Sequence, residues 1–422
     1  MPDNNRLFKL IKAGRLIDGT EGKKHEYGAV LLENDKIREV GSESNVIPPE
    51  GAVVEEFNYP DKTILPGLID CHVHLIGMGD GRTGDELATL PDEVLTLQAA
   101  QNARAHLSSG VTTVRDCGAK NHTTFMLRTA VEMGITTTPR LILSGRPLSI
   151  IGGHLSYFGI EATGEDECRA AVRQLVKEGA DFIKITATGG STKTSFKMRP
   201  SFTVTELKAI CEEAHKFGIH TAAHCVSTQG MVNSLDAGVD TIIHAMFKEP
   251  DGTLRYRPEV AERIAKQNIF VNPTLHSIGK ADIWRLEAKL ASDGLTEEDE
   301  HILDVSRRGH EYALDCFAKM REVGIKMVAG SDAAWENDKM GMFQYETDAF
   351  VSGGMSASEA IIAATSSSAK SCWIDDITGT LETGKQGDLL VVDGDPSQNI
   401  KALWNVVDVF QNGHRVSRNS ST

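Results

Sequence analysis

No two cysteines of this chain are spaced Cys-x-x-Cys, and the seven present are scattered singly along 422 residues. That spacing indicates neither a zinc knuckle nor a disulfide framework. Cys71, Cys117 and Cys225 flank polar strand ends and read as small buried hydrophobes. Long apolar runs are missing too: nothing approaches the roughly 18 residues a membrane-spanning helix needs. The opening stretch MPDNNRLFKLIKAGRLIDG has no apolar core of signal-peptide length, because Lys9 and Lys12 interrupt it. Basic clusters are also absent. The 44 Lys and Arg face 59 Asp and Glu, for a formal net charge of -15, so neither nucleic acid nor an anionic membrane is expected as a partner. The acidity reads as solubility. These absences predict a cytoplasmic protein that acts on a small molecule.

What is present is enough apolar residue, 40% of the chain, for one large domain and a smaller one. Residues 1–64 read as short strands broken by Gly, Asn-Asp and Pro, and the C-terminal end repeats that style in GDLLVVDGDP and VVDVFQNGHRV. Between them the pattern changes. ILPGLIDCHVH, TTVRDC, PRLILSG, DFIKITA, IHTAAHC, DTIIHAM, IFVNPTL and IKMVAGSD read as eight strands, with helices such as TELKAICEEAHKFG and PEVAERIAKQN between several of them. Alternation of this kind predicts an α/β fold with a parallel sheet closed as a (β/α)8 TIM-like barrel over residues 65–375. Residues 1–64 and 376–422 are expected to pair into a small composite β-sandwich domain. Residues 277–319 read as two helices, a candidate surface for a homo-oligomer.

In such a barrel the chemistry sits at the C-terminal strand ends. LPGLIDCHVHL puts Asp70, His72 and His74 at alternate positions of an apolar strand, so strict alternation places all three on one face. Lys184 lies on the fourth strand, His224 ends the fifth, His244 the sixth and Asp332 the eighth. Histidine and carboxylate are standard ligands for zinc and similar divalent ions, though ligand type also admits cobalt, manganese or iron. Lys184 is the odd member. Burial favours its neutral amine, which either reacts with carbon dioxide to an anionic carbamate or pairs with a nearby acid. His215, His220 and His276 are read as ordinary core or surface histidines. His154 follows two glycines in a loop and is a candidate hydrogen-bond donor to a substrate carbonyl. LIGMGDGRTGDELATLPDE and TGGSTKTSFKMRPSFT read as mobile lids, and Lys197 and Arg199 of the second as solvated surface.

LPGLIDCHVH, GVTTVRDCG, ADFIKI, AAHC, IIHA and AGSDA occur in that order, followed by GDLLVVDGDP. This set resembles the metal-dependent amidohydrolase superfamily over essentially the whole chain, and within it the imidazolonepropionase-related, prolidase-like branch. The resemblance implies two divalent ions, zinc foremost. His72, His74 and Asp332 would hold the more buried ion, His224 and His244 the second, and carbamylated Lys184 with a hydroxide would bridge them. Such ions lower the pKa of bound water from 15.7 to about 7. The hydroxide would attack a C–N carbonyl, with Asp332 shuttling the proton to the departing amine and His154 and Tyr157 meeting the substrate. Peptidase members often carry a tyrosine two residues after the strand-five histidine, where this chain has Val226. An amide, carbamate or urea is therefore expected. The alternatives are a prolidase-like dipeptidase or carboxypeptidase, and an imidazolonepropionase-like cyclic amide hydrolase or deaminase. TAAHC offers no glutamate for the deaminase.

Overall fold

The computed structural model describes residues 7–20, 24–278, 280–335 and 338–418. In chain order its strands are β1 (Phe8–Ile17), β2 (Lys24–Glu33), β3 (Lys36–Ser42), β4 (Val54–Pro66), β5 (Leu68–Val73), β6 (Val111–Asp116), β7 (Arg140–Leu143), β8 (Leu148–Ser149), β9 (Ile160–Glu161), β10 (Phe182–Ile185), β11 (His220–Ser227), β12 (Thr241–Lys248), β13 (Phe270–Asn272), β14 (Lys326–Met327), β15 (Leu389–Asp393), β16 (Val406–Gln411) and β17 (His414–Arg415).

The two ends of the chain meet in one seven-stranded sheet ordered β17-β16-β15-β4-β1-β2-β3. β1 pairs antiparallel with β2 and parallel with β4, and β4 pairs antiparallel with β15. The turn between β2 and β3 is made by Asn34 at φ 58°, a left-handed conformation that Asn adopts more readily than most residues. Ile11, Leu16, Val30, Ile64, Leu389, Val391 and Phe410 form an apolar cluster of this sheet. β4 runs straight on through Pro66 into β5, so the sheet is coupled directly to the strand that carries His72 and His74.

The middle of the chain is mixed α/β. β10 to β14 pair parallel in sequence order, with β8 and β9 beyond β10, and β5-β6-β7 form a second parallel group. Two junctions join the groups. Asp181 N donates to Leu143 O at 2.8 Å, beside β10 and β7. At the other end Cys71 N donates to Ala329 O at 2.9 Å and Asp332 N to His72 O at 2.7 Å. Only Lys326 and Met327 of the eighth expected strand pair as a regular ladder; the rest of IKMVAGSD is held by isolated bonds, these two among them together with Val328 N to Val271 O and Ser331 to Asp70. Ile69, Cys71, Cys117, Phe182, Ala222, Ile243 and Val328 pack together below the site.

Helices fill the connections where the sequence supplies start signals. Thr203, Thr296 and Ser356 each cap a helix whose third residue is Glu206, Asp299 or Glu359, with reciprocal side-chain bonds. The two helices expected over 277–319 are Lys280–Ser292 and Glu297–Glu322, the second ending three residues beyond the expected boundary. Among the described residues no helix is long and apolar enough to cross a membrane.

Candidate active site

The strict alternation expected in LPGLIDCHVHL does not hold. The ladder between β5 and β6 shifts register between Asp70 and Val73, and that irregularity separates Asp70 from the two histidines. Cys71 packs with Ile69, Cys117 and Phe182, whereas Asp70 is bonded to His106 on helix Asp92–Ser108. Asp70 is fully buried and fully satisfied. Its Oδ1 accepts from His72 N and Ser331 N, both at 3.0 Å. Its Oδ2 accepts from Ser331 Oγ at 2.6 Å and His106 Nε2 at 3.0 Å. His106 Nδ1 accepts from Gly341 N at 2.8 Å, so the ring proton sits on Nε2. One carboxylate thus ties the strand of His72 to the turn that carries Asp332.

His72, His74 and Asp332 converge. His72 Nε2 lies 3.3 Å from His74 Nε2 and 3.2 Å from Asp332 Oδ1, and His74 Nε2 lies 3.5 Å from the same oxygen. Lys184 Nζ is 3.2 Å from His72 Nε2, and among the described residues it makes no ion pair. Burial, and after it the Lys184 charge, drives His74 down to about 3 and His72 well below the usual imidazole range. Both rings are therefore neutral and offer lone pairs. Burial lowers the Lys184 amine and lifts the Asp332 carboxyl to about 7. Neutral imidazoles and a carboxylate with ligand atoms all within 4.8 Å of one another match the donor set of a divalent cation.

The hydrogen bonds of the rings sort their nitrogens. His74 Nδ1 faces Gly118 O at 2.9 Å and His224 Nε2 faces Gly189 O at 3.1 Å. A carbonyl only accepts, so these nitrogens carry the protons and leave His74 Nε2 and His224 Nδ1 as bare donors. His244 Nδ1 is engaged by Thr274 Oγ1 at 2.7 Å. The His224 and His244 rings are 4.6 Å apart and the His72 and His244 rings 5.6 Å, centre to centre. His244 and Asp332 have φ of 69° and 56°, left-handed conformations of the kind that collect at functional sites.

His72, His74, His154, Lys184, His224, His244 and Asp332 all line one cavity of about 300 Å³. Tyr157 does not line it. Its ring packs against Gly84, where an added Cβ would lie 1.8 Å from the hydroxyl. Arg199 also stands apart, its guanidinium over the Phe196 ring. Lys197 does line the cavity, together with Lys248, Val226, Met246, Trp335 and Asp338. His244, Met246 and Lys248 fall at every second position of β12 and all line the cavity, across a register shift in the ladder to β11. Trp335 covers the His74 ring at 4.7 Å. Asp116 is a further buried carboxylate missed in the sequence. It accepts from Leu75 N and Gly118 N, and burial pushes it up to about 7.

Comparison with known proteins agrees with this architecture. Ochratoxinase of Aspergillus niger is 26% identical over 425 residues, which cover 93% of this chain and 83% of that protein. A crystal structure of a Xaa-Pro dipeptidase with bound methionine in the active site superposes with a TM-score of 0.80 at 29% identity, covering 97% of this chain and 99% of that one. Phenylurea hydrolase B superposes with a TM-score of 0.79 over 97% of both chains, at 23% identity, a likeness of fold. The profile of the amidohydrolase family matches residues 63–416, from the end of β4 past β17. The chain belongs to the amidohydrolase family and is a hydrolase.

Proposed function

We propose that the protein is a binuclear metal-dependent hydrolase of a C–N bond in an amide, carbamate or urea. The observation that carries this reading is the convergence of four neutral imidazoles, Lys184 and Asp332 on one cavity. His72, His74 and Asp332 would hold one ion, zinc foremost, and His224 and His244 the other. Lys184 would bridge them as a carbamate; its buried, depressed amine and its lack of an ion pair among the described residues support that modification over a structural role. On the same reading, the two junctions close the eight strands into a (β/α)8 barrel over 65–375. Residues 1–64 and 376–422 would form the composite β-sandwich domain, of which 1–6, 21–23 and 419–422 lie outside the described residues.

When bound, such ions supply Lewis acidity and lower the pKa of coordinated water. The chain's own groups do the rest. Asp332 takes the proton of the attacking water at its carboxylate and passes it to the departing amine nitrogen. His154 Nδ1 lies 3.1 Å from Thr192 Oγ1, which already accepts from Leu155 N. With the hydroxyl donating to Nδ1, the His154 proton stays on Nε2, available to an oxygen that gains charge as the carbonyl is attacked. Trp335 and Leu155 limit water on the flanks of the cavity.

A second reading concerns the substrate's charge. Lys197 and Lys248 line the cavity, and among the described residues neither has an acidic partner; burial, and then Lys197, lowers the Lys248 amine. Two unpaired lysines at the mouth of so acidic a protein favour a substrate that carries a carboxylate, as a dipeptide or N-acyl amino acid does. The test is amine release by ion-loaded enzyme from dipeptides, N-acyl amino acids, carbamates and arylureas, with each acid paired to its neutral amide. Release from at least one class is expected. Failure across the panel would overturn the proposed C–N hydrolysis, and a preference for the neutral partner would overturn the second reading.

A further inference from the structure

Asp338 lines the same cavity and takes no part in the ligand set or the proton shuttle described above. It is 7% exposed. Its Oδ1 accepts from His276 Nε2 at 2.7 Å, while its Oδ2 is buried and has no hydrogen-bond partner among the described residues. His276 is fixed from several sides. Its backbone N donates to Glu346 at 2.6 Å, and its ring lies against the contacting pair Tyr345, parallel at 5.5 Å, and Trp284 at 5.6 Å. Its Nδ1 is buried and has no partner among the described residues. The ring gives its Nε2–H to Asp338.

The contrast with Asp70 sharpens the point. Asp70, equally enclosed, receives four donors. Asp338 receives one, and among the described residues it has no cation beside it other than what the cavity admits. A buried carboxylate oxygen left bare costs free energy that a cationic N–H donor would recover. We propose that Asp338, held by His276, forms a subsite for a protonated amine of the ligand. Resting on the reading of this cavity as the substrate site, the proposal adds a selectivity for an ammonium group that the hydrolytic chemistry does not itself require. It also gives the cavity two poles, Asp338 at one place and Lys197 with Lys248 at another.

The test is binding, so it does not depend on turnover. 3-Methylbutylamine, protonated at pH 7, and 3-methyl-1-butanol share a skeleton and neither can be hydrolysed. Their affinities for the ion-loaded protein are measured by ligand-observed NMR. The amine is expected to bind about 10- to 100-fold more tightly, the advantage of a charged over a neutral partner. Asp338→Asn, which keeps shape and removes charge, should abolish that advantage, and His276→Phe should reduce it. Equal binding of the two probes to the unaltered protein, including no binding of either, overturns the proposal. So does an amine advantage that survives Asp338→Asn, since the amine would then be ligating the ions. A hydrolase inactive on every substrate, yet selective for the amine, would refute the catalytic reading and leave this one standing.

Discussion

Asp70→Asn looks conservative, and the hydrogen bonds around it say otherwise. An asparagine at this position keeps an acceptor for His72 N and Ser331 N only if its oxygen stays at Oδ1. Its amide then replaces Oδ2 and faces Ser331 Oγ and His106 Nε2. The serine hydroxyl can turn and accept. The histidine cannot, because Gly341 N occupies Nδ1 and keeps the proton on Nε2. Two donors confront each other in a fully buried place. Losing the charge-assisted bond and stranding a buried donor together cost about 3–5 kcal/mol. The displaced strand should also lower metal affinity about 10- to 100-fold, as the loss of a supporting partner usually does. Urea denaturation of metal-stripped protein measures the first effect and competitive chelation the second. A double-mutant cycle isolates the cause: in a His106→Phe background the same substitution should cost about 1–3 kcal/mol less, because the facing donor is gone. An Asp70→Asn protein with unaltered stability, or an equal cost in both backgrounds, would refute the argument.

Lys184→Ala should lose metal and activity together, and a small carboxylic acid should restore part of both by standing in for the bridge; full activity without rescue would make Lys184 merely structural. Gly190→Ala should slow turnover about 10²-fold, the scale of a lost oxyanion donor, because the new Cβ would lie 2.5 Å from the His154 ring. A wild-type kcat would show that His154 does not act from its present position. In metal-stripped protein Asp116 titrates at about 7 when folded against an ordinary 3.8. The folded state therefore holds the proton more tightly, and this group's contribution to stability falls as pH rises from about 4 through 7. Asp116→Asn should accordingly compare better with the parent at pH 8 than at pH 5 in urea titrations, and the opposite trend would contradict the assignment.

Much of the site could be read from the chain because its members sit at strand ends, where a periodicity of two and a topological rule suffice. His72, His74, Lys184, His224, His244 and Asp332 were proposed in that way, and all six line one cavity. Lys248, four positions beyond His244, lines the same cavity and was passed over. The face of Asp70 was misjudged because a register shift inside β5 has no signature in LPGLIDCHVHL. Tyr157 and Asp338 depend on loops. The first turns away under Gly84 and the second is drawn in by His276, and no spacing announces either. His276 itself looked ordinary because its role rests on Trp284, Tyr345 and Glu346, up to 70 positions away in the chain. The chain's two ends share a strand style, but their pairing and the order of the joint sheet, with β4 between β1 and β15, are set by tertiary contacts.

The central claim is that hydrolysis depends on two ions held by these residues. The most direct measurement follows amine release while metal-stripped protein is titrated with zinc, with bound metal per chain counted by mass spectrometry at each point. The account predicts saturation near two ions per chain and activity that rises with the second equivalent, and a 44 Da increment on Lys184 in the loaded protein, the mass of one carbon dioxide. Full activity in the stripped protein, or saturation at one ion with an unmodified Lys184, would contradict it.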